Sequence, residues 1–144
     1  MWLGVWIKYL HQESGFGIRL RCEFIIVGLG GFIGAICRYL VYLSERALGL
    51  HSFPFGTLVI NISGCLVAGI LLGVVERSLP VHRHLILLGS MGLVGSFTTF
   101  STFSVESFQL IRSNQIMLAG TNILTNTVFG IGAIWLGRFL SLKI

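Results

Sequence analysis

The chain has 144 residues, 54% of them hydrophobic and only 10% charged, where soluble domains carry about 25% charged residues. With a mean hydropathy of +0.89, this excludes a soluble globular domain and intrinsic disorder, because most of the surface must meet lipid rather than water. The net charge of +5 comes from basic residues placed singly between apolar runs, the pattern of loops facing anionic headgroups rather than of a nucleic-acid surface.

A transmembrane helix needs about 20 apolar residues, so the length accommodates four spans and no separate soluble domain. Residues 1–22 mix Trp2, Trp6, Lys8, His11, Glu13, Arg19 and Arg21 with short apolar pieces. They are too charged to span and form a poor signal peptide, and an interfacial aromatic-basic extension fits them best. The first span is expected over about Phe24 to Leu43, with Gly30 and Gly34 on one packing face and Arg38 embedded towards its end. Arg38 either concentrates anions in a vestibule or snorkels to the headgroups.

The second span runs from about Phe55 to Val75, with Pro54 at its start, where the missing N–H costs nothing. Asn61 lies inside it. A buried amide in hydrocarbon must find partners, either a neighbouring helix or a passing ligand. Gly69 and Gly73 repeat the small-residue spacing of the first span.

The third run, from about Leu85 to Ile111, holds Gly89, Gly92 and Gly95 and then six hydroxyl residues between Ser96 and Ser104. Gly weakens a helix by about 1 kcal/mol relative to Ala, and hydroxyls compete for its backbone bonds, so a mid-membrane break is expected. Irregular backbone at that depth must be buried or line a watery cavity, and its freed carbonyls are hard ligands for a small cation. Phe100 and Phe103 lie on one side, interleaved with Ser101 and Thr102. Aromatic edges and hydroxyls suit an anion path because neither holds a full charge that would trap the ion. Glu106 would repel an anion, which points to a structural or gating role. A tilted, Gly-rich packing helix is the competing reading of this run.

The fourth span, about Ile116 to Leu140, carries Asn122, Asn126 and Gly130 at four-residue spacing. Interhelical hydrogen bonding and a polar pore wall explain this stripe equally well. Lys8, Arg19, Arg21, Arg77, Arg83, Arg138 and Lys143 fall on one side of the four crossings, against Arg46 and Arg112 on the other. Both termini are therefore expected to be cytoplasmic in a bacterial cell membrane. Cys22, Cys37 and Cys65 lack metal-ligand spacing, and two of them lie inside apolar runs, where a thiol is expected to pack as a small hydrophobe.

Gly30-Gly31-Phe32-Ile33-Gly34-Ala35 with Arg38-Tyr39, Gly56-Thr57-Leu58 with Asn61, and Gly95 through Glu106 occur in an order and spacing that resembles the Fluc (CrcB) family of fluoride channels. The resemblance covers nearly all of residues 24–140. It implies an all-α integral membrane protein with a broken third helix, in which residues 23–144 form one channel domain. It also implies an antiparallel dual-topology homodimer, or a pair with a paralogue, with two pores. Asn61, Phe100 and Phe103 would line the fluoride path, with Arg38, Ser101, Thr102, Asn122 and Asn126 assigned to it as well. A structural Na+ on the dimer axis would be held by the backbone carbonyls of Gly95 and Thr98. Two departures stand out: the fourth helix offers Asn122, Asn126 and Gly130 where the family commonly has hydroxyls, and the N-terminal stretch is longer than usual. Of the alternatives, a small proton-coupled exporter of cationic compounds has only Glu106 as its membrane carboxylate. An intramembrane enzyme lacks a base near the serines, since His11, His51, His82 and His84 lie outside the spans.

Overall fold

The computed structural model describes residues 16–50, 52–77 and 82–143, with backbone alone for 16–21. The described residues are helical and contain no strand. Most of the extension expected over residues 1–22 lies outside them; from Phe16 the chain is already helical and runs into the first span without interruption.

Helix α1 covers Phe16–Ala47 and α2 covers Phe55–Glu76. The third span is composite: α3 over Arg83–Leu87, a π-helical stretch over Leu88–Val94, α4 over Gly95–Phe97 and α5 over Phe100–Arg112. Helix α6, Ile116–Lys143, closes the bundle. Four segments are long and apolar enough to cross a bilayer, Cys22–Ala47, Phe55–Glu76, Arg83–Arg112 and Ile116–Lys143, so the chain is a multi-pass membrane protein. The apolar side chains are mostly on the outside, as lipid solvation requires. Phe24, Phe32, Met117 and Trp135 are all largely exposed, while the buried positions are mostly Gly, Ala, Ser, Thr and Asn.

Small residues set the helix contacts, because lipid tails supply no hydrophobic drive between helices and close backbone approach must do the work. A Cβ on Gly30 would fall on Leu88 O and lie 3.0 Å from Gly92 Cα, and one on Gly34 would strike Ser96 Oγ and Leu93 O. These two glycines seat α1 on the π-helical stretch and α4. Gly69 and Gly137 do the same between α2 and α6, where the Cβ of each would meet opposing backbone at Ile134 O and Leu66 O. The small-residue faces read from the sequence are therefore the contact faces. The π-helical stretch was not foreseen. Its wider winding, with Gly95 N–H bonded back to Ser90 O, falls on the Gly-rich run, and such bulges recur at functional sites.

Polar contacts tie the ends. At the end carrying the described part of the expected basic side, Arg83 pairs with Glu23 at 3.0 Å and Arg138 with Glu76 at 2.7 Å, and Arg77 Nη1 donates to Ser141 O at 3.1 Å. At the other end Pro54 offers no side-chain cap to α2. Glu45 reaches across the loop and accepts from Gly56 N–H at 2.8 Å, a carboxylate placed where the helix dipole favours it.

Candidate functional site

The expected break lies at Thr98-Thr99. Thr98 has an extended backbone, φ −70° and ψ 155°, and Thr99 follows at φ −146° and ψ 118° as the N-cap of α5. Its hydroxyl accepts from Thr102 N–H at 3.2 Å, the usual way a threonine satisfies the first donors of a helix. Gly64 of α2 faces the break closely enough that a Cβ there would overlap Thr98 Cγ2.

Asn61 holds the break in place. Its Oδ1 accepts from Thr99 N–H at 3.0 Å, and its Nδ2 donates to Thr99 O at 3.2 Å. The same nitrogen donates to Asn126 Oδ1 at 2.9 Å. Asn126 Nδ2 donates in turn to Asn122 Oδ1 at 2.9 Å and to Asn122 O at 3.0 Å. Asn122 Nδ2 donates to Ser107 Oγ at 3.0 Å, and Ser107 donates to Phe103 O at 2.8 Å. Polar side chains from α2, α5 and α6 thus join the backbone of the break in one connected chain, the form in which buried polar groups are tolerated.

Two carbonyls lose their helical donors at the break. Thr99 N–H, which a continuous helix would give to Gly95 O, goes to Asn61; Thr102 N–H, which Thr98 O would receive, goes to Thr99 Oγ1. These are the two carbonyls assigned above to a cation. Carbonyl oxygens are the right ligand class for a hard ion, and among the described residues no cluster of three His, Cys, Asp or Glu side chains could hold a metal instead.

A cleft of about 400 Å³ runs along the break, lined by Asn61, Thr98, Thr99, Phe100, Phe103 and Asn126 among others. The two rings tilt by 50° with centroids 5.7 Å apart. Phe100 is 80% exposed, so its ring lies at the open surface of the chain rather than in its core. A second cleft, about 960 Å³, opens at the α1–α2 loop end and is lined by Tyr39, Tyr42, Glu45, Arg46, Thr102 and Glu106 among others. Here Thr57 Oγ1 donates to Glu106 Oε1 at 2.8 Å. With its single proton committed, Thr57 must accept from Tyr42 O–H at 3.1 Å. Glu106 Oε2 is buried without a partner among the described residues.

The fold thus brings Asn61, Phe100, Phe103 and Asn126 to one cleft, and Thr102 and Glu106 to the other. Ser101 is exposed, with its hydroxyl 3.3 Å from Thr99 Oγ1. Asn122 lines neither cleft: it is 0% exposed, consumed by the amide chain rather than presented at a wall. Arg38 is half-buried and stands apart from both. Tyr42, Thr57 and Ser107 were not singled out from the sequence as site residues. For Thr57 and Ser107 the signal was helical spacing, since Thr57 precedes Asn61 by four positions and Ser107 follows Phe103 by four.

Comparison with known proteins agrees with the geometry. Residues 25–138 match the family model described as CrcB-like protein, Camphor Resistance (CrcB). A Flavobacterium psychrophilum protein named fluoride-specific ion channel FluC is 37% identical over 115 residues, 80% of this chain and 93% of the relative. Proteins of the same name from Oceanobacillus iheyensis and Idiomarina loihiensis are 44% identical over 118 residues (82% of this chain, 90% of the relative) and 38% identical over 122 (85% and 94%). With a broken third span latched by Asn61, two phenylalanines beside that latch, and similarity along nearly the whole length of such relatives, the chain belongs to the CrcB family.

Proposed function

We propose that the protein is a fluoride-selective passive channel that lets cytoplasmic fluoride leave down its electrochemical gradient and so relieves fluoride toxicity. One observation carries the reading: an amide and two phenylalanines line one cleft at a helix break in a chain similar to proteins named as fluoride-specific channels. Fluoride is small and strongly hydrated, so a path must replace its water with donors and positive ring edges without holding a full charge that would trap it. Asn61, Phe100 and Phe103 supply these at the narrow cleft. Thr102 and Ser101 lead to it. In acidic surroundings HF crosses the bilayer and dissociates inside. The trapped anion needs only a selective exit, and no nucleotide is consumed.

The working unit is an antiparallel, dual-topology homodimer. The exposure of the Phe100 ring supports this, because one subunit covers only one side of the cleft. A structural Na+ would be held by the carbonyls of Gly95 and Thr98 from both copies, supplying a fixed positive charge that draws the two breaks together. The diversion of both helical donors supports that assignment.

The test is fluoride efflux from proteoliposomes with chloride as control. Rapid fluoride release with chloride retained is expected. A folded, reconstituted protein that passes no fluoride would refute the proposal.

A further inference from the structure

The amide chain has a sense, and that sense assigns roles within it. Thr99 N–H can only donate, so the group facing it must be Asn61 Oδ1. The Asn61 amino group then faces Asn126, which must present its oxygen. Asn126 therefore turns its own amino group to the two oxygens of Asn122, and Asn122 its amino group to Ser107. One backbone N–H at the break thus orients three side-chain amides in series.

The side-chain hydroxyl and amide donors lining the cleft are already committed. Thr98 O–H goes to Val94 O at 2.9 Å, Thr99 O–H to Thr102 Oγ1 at 3.0 Å and Thr127 O–H to Ile123 O at 2.8 Å. Both N–H groups of Asn126 go to Asn122. Of the two on Asn61, the one to Asn126 is short, at 2.9 Å, and the one to Thr99 O is long, at 3.2 Å. The longer bond is the weaker and is the donor that yields to an anion.

We infer that Asn126 and Asn122 are positioning residues: they grip Asn61 by one N–H so that its other N–H is the one that turns from Thr99 O to the passing ion. Asn126 acts through Asn61, and Asn122 acts through Asn126. This rests on Asn61 meeting fluoride, as proposed above. A short hydroxyl in place of Asn126 could not bridge Asn61 and Asn122 at once.

The experiment reconstitutes the full chain at less than one dimer per vesicle and records two quantities, the fraction of vesicles that empty and the rate in those that do. Misfolding lowers the fraction; loss of positioning lowers the rate. Asn126→Leu, with Asn126→Ala as a second variant, should slow fluoride efflux about tenfold, the value of one hydrogen bond at the working step. Asn122→Leu should slow it only about threefold, because the Asn122 carbonyl still holds Asn126. A purely structural role predicts the reverse order, since Asn122 is the more deeply buried of the two. Unchanged rates in both Asn126 variants, or a larger rate loss at Asn122 than at Asn126, would overturn the inference while leaving the channel reading intact. A wild-type protein that passes no fluoride would overturn both.

Discussion

Adding one methyl group to α6 separates close packing from mere glycine content. At Gly137 an added Cβ would strike Leu66 O and stand 2.9 Å from Ile70 N and 3.2 Å from Gly69 C. All three atoms are backbone of α2 and cannot rotate away. Restoring ordinary contact requires the two helices to part by about 1 Å, at a typical overpacking cost of about 1–3 kcal/mol. Gly120 and Gly132 lie on the same helix, and a Cβ at either would meet nothing within 4 Å, so Ala there gains up to about 1 kcal/mol of helix propensity. Gly137→Ala should therefore be less stable than Gly132→Ala or Gly120→Ala by about 1–3 kcal/mol, measured as thermal loss of the monodisperse species in detergent. The separation should also reach function, because the 2.9 Å bond from Asn61 to Asn126 bridges the same two helices. Efflux should fall in Gly137→Ala and hold in the two controls. Equal stability across all three variants would refute the close approach of α2 and α6.

Three further outcomes follow from the site. Phe100→Ile or Phe103→Ile removes the ring edge while keeping bulk, and should lower fluoride efflux at least about tenfold without changing the elution volume on size-exclusion chromatography; normal flux would remove the rings from the path. Asn61→Asp keeps the acceptor for Thr99 N–H but sets carboxylate oxygens against Thr99 O and Asn126 Oδ1, so both thermal stability and flux should drop, and a variant with wild-type flux would exclude Asn61 from the path. Thr99→Val deletes the cap of α5 and should destabilise the protein by about 1 kcal/mol, read as a lower melting midpoint. Thr99→Ser, which keeps the oxygen, should not.

Element by element, much of this was legible in the chain. The second and fourth spans were expected from Phe55 and Ile116, where their helices start, because apolar length against bilayer thickness leaves little freedom. The break was foreseen because clustered glycines and hydroxyls weaken a helix locally, and the packing faces because Gly30, Gly34, Gly69 and Gly73 recur at helical spacing. Asn61, Phe100 and Phe103 stood out as polar or aromatic residues in unusual company.

Tertiary structure decided how those groups are used. A polar stripe on α6 reads equally as glue or as pore wall, since spacing fixes the face of a helix and not what stands opposite. The fold separates the two cases: Asn126 reaches the cleft, while Asn122 is sealed behind it. The binding of Thr57 to Glu106 and the sense of the amide chain likewise depend on contacts between residues far apart in sequence. The chain alone told that the solvent is lipid, how many times it is crossed and where one crossing is weakest, because these are properties of single segments. Which polar groups face the cleft and which hold others in place is a property of pairs brought together only when the helices pack.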